Sequence, residues 1–192
     1  MRRLVVLALI AAFGAEVPWA VATEVAGTVA ADRPTVVVLE PLGGPPPSRP
    51  AARVVMDQKN LTFVPAVLPV VRGTTIEFTN SDDVQHNVFS PSAIAGKFDL
   101  GTHGPGATRT VTLDEPGEVL ILCNIHMEME ARVLVLDTPY FATAIPEGRY
   151  RITEVPPGAY TMRIWRGSWL PTRRTIDVPA SGTVGVDLES GR

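Results

Sequence analysis

The 192-residue chain has one cysteine and three histidines. A single cysteine cannot close an internal disulfide, so no disulfide framework holds this fold together. There is no cluster of Lys and Arg, and the formal charge is −3. That balance argues against nucleic acid as a partner. After the first fourteen residues no apolar run is long enough to cross a bilayer. After residue 30 no stretch carries the apolar period of an amphipathic helix. These shortages point away from membrane-spanning, helical and disulfide-stapled classes.

The N-terminus has the form of an export signal. Arg2 and Arg3 precede an apolar run of eleven residues, Leu4 to Gly14, and Ala20-Val21-Ala22 offers small residues where a signal peptidase reads. Cleavage after Ala22 is expected. It leaves about 170 residues with fifteen Lys and Arg against nineteen Asp and Glu, a mildly acidic chain exported to a bacterial periplasm, with no membrane span.

What the chain has in quantity is punctuation: 18 prolines and 16 glycines. They favour many short strands, so the expected class is all-β. In the middle of the chain "RVVMDQKNLTFVP" reads as two strands about a polar "DQKN" turn. "GTTIEFTNSDD" gives a half-buried strand in which Ile76 and Phe78 alternate with Thr75, Glu77 and Thr79. "QHNVFS" and "TRTVTL" follow as strands. "EVLILC" is apolar on both faces, and "ARVLVLD" closes the series. Six or seven short strands in about 85 residues predict a Greek-key β-sandwich.

The chemistry gathers at one end of that sandwich. Cys123 ends one apolar strand, and the loop to the next carries His126, Met127 and Met129. His86 follows the loop after "TIEFTN" and reaches the same end. A thiolate, two imidazoles and a thioether suit copper, because soft sulfur favours Cu(I) and imidazole tolerates Cu(II). A loop as short as C-x2-H-x2-M directs its donors at one ion or at none. A single buried cysteine is by itself more simply read as an inert apolar residue. The set as a whole is not.

These residues resemble the cupredoxins. The carrying motifs are Phe63 and Pro65, "GTTIEFTNSD" at 73–82, "HNV" at 86–88 and "CNIHMEM" at 123–129. They cover residues 52–137 and look closest to the small bacterial proteins related to plastocyanin, pseudoazurin and amicyanin. The resemblance implies one type 1 (blue) copper, with His86, Cys123 and His126 as trigonal ligands and Met129 as the weak axial one. It implies that Asn87 ties the two ligand-bearing loops together by hydrogen bonds. Where many relatives have proline after the loop histidine this chain has Met127, the alternative axial sulfur. Ile125, His126, Met127 and Pro105 are expected to form an apolar rim through which electrons leave to a transient partner. His103, in "LGTHGPGATRT", reads as a solvated loop histidine, with a role as alternative ligand open.

The flanks read as a second small sandwich. "EVAGTVAADRPTVVVLE" at 24–40 gives two strands, "GGPPPSRP" at 43–50 a stiff connector, and residues 138–192 further hairpins about "VPPG" and "PASG". "GRYRITEVPPGAYTMRI" resembles the transthyretin-like regulatory domain of metallocarboxypeptidases. On that resemblance residues 23–51 and 138–192 form one discontinuous domain, with the cupredoxin, 52–137, inserted in it. Neither flank alone has enough strands to bury a core. Trp165 and Trp169 are expected in the core or at an interface.

The resulting expectation is a monomeric one-electron carrier that is not an enzyme. Three histidines cannot furnish a second copper centre beside the first, and Cys123 has no flanking histidines to relay electrons to one. A copper-delivery protein and a structural binding module are the alternatives.

Overall fold

The computed structural model describes residues 23–30, 32–44, 52–94, 97–170 and 173–188. The expected signal peptide, 1–22, and most of the proline-rich connector lie outside the described residues. The described residues form sixteen strands and no helix.

Nine strands make up the middle of the chain: β3 (Arg53–Lys59), β4 (Thr62–Val64), β5 (Val67–Val71), β6 (Thr74–Asn80), β7 (His86–Ser90), β8 (Phe98–His103), β9 (Thr108–Leu113), β10 (Gly117–Leu122) and β11 (Glu130–Leu136). They form two sheets, ordered β5-β11-β10-β7-β8 and β4-β3-β6-β9. Met56, Phe63, Ile76, Phe78, Val88, Ile121, Val133 and Val135 are among the side chains that fill the space between them. The clean alternation of β6, buried at every second residue, is the period-2 signature of a strand with one face on a core.

Two local readings of the sequence need correction. The "DQKN" segment is strand through Lys59, and the turn is Asn60-Leu61, both at φ 55°. Asp57 and Gln58 stay in the strand because each side chain finds a partner there. Thr79 donates to Asp57 at 2.8 Å, and Gln58, fully buried, donates to the Asn87 carbonyl at 3.3 Å. "EVLIL" is not apolar on both sides in effect: only Val119 and Ile121 are buried, and Leu120 and Leu122 are half-covered.

The flanks contribute β1 (Thr23–Thr28), β2 (Val36–Pro41), β12 (Phe141–Thr143), β13 (Arg149–Val155), β14 (Gly158–Trp165), β15 (Arg174–Val178) and β16 (Thr183–Gly185). Their sheets run β13-β1-β16 and β12-β2-β14-β15. "VPPG" is therefore no hairpin, because β13 and β14 lie in different sheets. Tyr150, Ile152 and Val155 from one and Tyr160 and Met162 from the other meet in the same core. A third cluster joins the two pairs of sheets. Val36 and Val38 of β2, Leu134 and Leu136 of β11, and Trp165 pack together, with Trp169 against them. Trp165 Nε1 donates to Glu118 Oε2 at 3.0 Å, and Glu118 Oε1 accepts from Arg132 Nε at 3.1 Å.

Gly27 of β1 lies directly against the C-terminal segment. A Cβ there would stand 2.0 Å from the Val186 carbonyl oxygen, which also accepts the Tyr150 hydroxyl at 2.6 Å. Gly27→Ala forces backbone apart and is expected to destabilise the chain by about 2 kcal/mol or more, read from urea unfolding; an unchanged midpoint would contradict this packing. Asp187 accepts the Thr28 N–H at 2.9 Å and the Thr28 hydroxyl at 2.7 Å. The side-chain bond, then the backbone bond, holds its carboxyl below the ordinary aspartate value against a smaller opposing effect of burial. Its contribution is complete above that ordinary value, near pH 4, and is lost as pH falls through the lower folded value. Asp187→Asn should flatten the acid side of the stability profile, and an identical acid-side slope would count against it.

Candidate metal centre

The loop from Cys123 to Met129 is short because β10 and β11 pair up to its mouth, Leu122 facing Glu130. Cys123 N–H then donates to the Met129 carbonyl at 3.3 Å, and Met129 N–H to the His126 carbonyl at 3.0 Å. His86 opens β7, the neighbour of β10, and so comes to the same end. The structure brings His86, Cys123 and His126 together, with one donor atom of each inside a span of 4.8 Å. His86 Nδ1 and His126 Nδ1 face one another at 3.1 Å, their rings edge to face.

This donor set fits a first-row ion. Bonds of roughly 2.0–2.3 Å from nitrogen and sulfur place any two donors within about 4.6 Å of each other, and the observed spread is of that size. Two imidazoles and a thiolate are the donors a copper site of the trigonal type uses. His86 and Cys123 are buried and His126 is half-buried. Met129 is 1% exposed and Met127 79% exposed. The two sulfurs that the sequence leaves as rivals thus differ in place: one sits in the core beneath the loop, the other in solvent. Ile125 and Pro105 are exposed as well.

Asn87 makes contacts to both ligand-bearing segments. Its backbone N–H points at Cys123 Sγ, 3.5 Å away, and its side-chain oxygen accepts the Asn124 N–H at 3.4 Å.

Sequence reasoning missed Asp82. Its Oδ2 lies 2.9 Å from His86 Nε2, the ring nitrogen turned away from the other donors. The same carboxylate accepts the backbone N–H of Asn60 at 2.6 Å and of Leu61 at 3.0 Å. Burial raises its proton affinity, but the bonds from Leu61, His86 and Asn60 outweigh that, and its carboxyl stays below the ordinary aspartate range. Asp82 therefore fixes the His86 ring and anchors the β3–β4 turn with one side chain. The signal was an Asp four residues before the histidine, in a loop that reads as merely polar.

His103 is not a solvated loop residue. It ends β8, is buried, and pairs across the ladder with His86. Burial pushes its imidazole below the ordinary histidine range; Arg109 and His86 add to this, against the Gly101 carbonyl. The sequence reading failed because β8 itself was missed: "FDLGTH" has too few apolar residues to announce a strand. A cleft of about 610 Å³ between the sheet pairs is lined by Val38, Arg72, Leu136, Arg163 and Trp169 among others, and by none of the metal-centre residues.

An all-β sandwich with a Cys-His-His set at one pole is the arrangement of a copper-binding cupredoxin. Residues 50–136 match the model of the copper binding proteins of the plastocyanin/azurin family. Among solved structures, an oxidised amicyanin point mutant is 22% identical over 44% of this chain and 82% of that one, at a TM-score of 0.42. A second amicyanin mutant, in the Cu(I) state, is 21% identical over 44% and 82%, also at 0.42. A Cu-containing nitrite reductase from Thermus scotoductus SA-01 is 24% identical over 50% of this chain and 25% of that one, at 0.43. No curated protein matches the chain.

Loss of the carboxylate beside His86 leaves the ring free to turn. Asp82→Ala is expected to weaken copper binding about tenfold or more, measured by competition with a coloured chelator. An affinity equal to that of the unaltered chain would disconnect Asp82 from the centre.

Proposed function

We propose that the chain is an exported one-electron carrier with one type 1 copper held by His86, Cys123 and His126, and by Met129 as the weak axial ligand. The observation that carries this is the convergence of the His86, His126 and Cys123 donors at a single pole of a cupredoxin sandwich. Copper held by soft sulfur and imidazole together can cycle between Cu(I) and Cu(II) with little ligand movement. The chain's own residues supply the rigidity this needs. Asp82 holds the His86 ring, Asn87 reaches the thiol and the residue after it, and the β10–β11 ladder closes the loop. The burial of Met129 supports it over Met127 as axial sulfur.

His126, half-exposed between Ile125 and Met127, is the exit we assign to the electron. An apolar rim of this kind suits a weak and transient redox partner. No helix among the described residues is long and apolar enough to cross a membrane. Export to the periplasm rests on the N-terminal pattern. The domain division we propose is a cupredoxin, 52–137, inserted in a discontinuous transthyretin-like sandwich, 23–51 and 138–192. The pairing of β1 with β13 and of β2 with β14 supports it. The carrier reading is preferred to an enzymatic one because the chain has only three histidines, two of them spent on this centre.

One observation favours a second reading, copper delivery. Met127 offers an exposed thioether beside the half-buried His126, a place where soft Cu(I) can be taken up or handed on.

Addition of Cu(II) to the mature protein is expected to give an intense thiolate-to-copper band that bleaches reversibly on reduction and is absent in Cys123→Ser. Colourless protein at stoichiometric copper would sink the proposal, and copper lost on reduction would favour delivery. Met129→Leu should move the reduction potential while Met127→Leu leaves it nearly unchanged.

A further inference from the structure

The Asn87 amide faces two ways, and something must decide which end faces which. Its oxygen has to meet the Asn124 N–H, directly after Cys123. Were the amide reversed, an NH2 group would confront that N–H, donor against donor. The group that sets the orientation is Asp99. Its Oδ1 accepts Asn87 Nδ2 at 2.7 Å, a short bond to a charged acceptor, and only the nitrogen end of the amide can make it.

The placement of Asp99 is itself built. β8 is an edge strand, and its ladder with β7 slips by one residue: Asn87 faces Thr102, but Phe89 faces Asp99. Val88 alone therefore opposes Leu100 and Gly101 together. Gly101 sits at φ 73°, where glycine is at ease and other residues are not. This is a β-bulge, a device that re-aims a side chain. Gly101 N–H donates to the same Asp99 oxygen at 2.8 Å, so the bulge locks the carboxylate that locks the amide. From the other side Gln58 holds the Asn87 carbonyl. Asn87, almost fully buried, is thus fixed at its carbonyl and at its side chain.

We infer that Asp99 is a positioning residue for the copper thiolate: by orienting the Asn87 amide it holds Asn124 and keeps the Asn87 N–H aimed at Cys123 Sγ. This rests on the copper reading above. A hydrogen bond to the sulfur withdraws electron density from it and favours the reduced ion, so loosening it lowers the reduction potential. Removing the negative charge of Asp99 acts in the opposite direction. The comparison that isolates orientation is therefore between two neutral variants. Asp99→Asn keeps an acceptor for Asn87 Nδ2, and Asp99→Ala does not. Asp99 is exposed on an edge strand, so neither variant empties the core.

The test uses the full mature chain in two forms. In the metal-free protein, Asn124 amide hydrogen exchange is expected to be about tenfold faster in Asp99→Ala than in Asp99→Asn. In the copper-loaded protein, Asp99→Ala is expected to have the lower potential, by up to about tenfold in the one-electron equilibrium, about 59 mV, with a displaced thiolate-to-copper band. A purely structural role would lower the melting temperature of Asp99→Ala and leave the two potentials equal. Equal potentials together with equal exchange would overturn the inference. If the unaltered chain gives no thiolate-to-copper band, the copper reading falls instead, and the exchange comparison alone decides whether Asp99 positions Asn124.

Discussion

The copper pole depends on one closure, the antiparallel pairing of β10 with β11 up to the last residue before the ligand loop. Once Leu122 faces Glu130, the chain has seven residues, Cys123 to Met129, in which to turn back. The Cys123 N–H to Met129 carbonyl bond completes the ladder across the mouth. Within so short a span the two ends cannot separate, so Cys123 and Met129 both stay at the core while the tip carries His126 outward. The difference in burial between Met129 and Met127 follows from this alone. One is at the root of the loop and the other at its tip.

The same strand, β11, ties the centre to the rest of the molecule. Val133 and Val135 face the core between its own sheets, and Leu134 and Leu136 face the other sheet pair. β2 does the same in mirror sense, with Val37 and Leu39 inward and Val36 and Val38 toward β11. Burying four such side chains on the shared side is worth roughly 1.5–3 kcal/mol each relative to exposure. A strand held on both faces resists bending, and this one carries the Met129 end of the ligand loop. The Trp165–Glu118–Arg132 contacts add direction to that apolar packing.

How much of this was legible in the sequence depended on whether the signal was periodic. The Ile76 and Phe78 alternation announced β6, and the unbroken runs "VVVL" and "RVLVL" announced strands, although not that both their faces would be covered or by what. The cysteine loop stood out because its candidate donors are close in sequence and chemically rare. Asp82, Asp99 and β8 were not. Each is polar and sits in a stretch that composition assigns to a loop, and each is held in place by partners distant in the chain. Gln58 shows the point within one segment: its polarity suggested a turn, whereas the Asn87 carbonyl keeps it in a strand and in the core.

Those hidden polar residues share a physical role. A metal centre needs its donors held in place, and apolar packing alone has no direction with which to hold a ring or an amide. Hydrogen bonds have direction, but a buried polar group costs about 1–3 kcal/mol wherever a partner is missing. This fold accepts part of that cost, since Gln58 Oε1 and His103 Nε2 are buried with no hydrogen-bond partner. Elsewhere it limits the cost by letting one group serve several neighbours. Asp82 takes two backbone N–H groups and a histidine, Asp99 takes an amide and a bulge N–H, and Asn87 bonds through backbone and side chain alike. Because each of these groups joins separate segments, the ligand geometry becomes a property of β3, β7, β8 and the loop together. Turning the His86 ring or the Asn87 amide then means breaking bonds to other segments, which is how this pole takes stiffness from the sandwich around it.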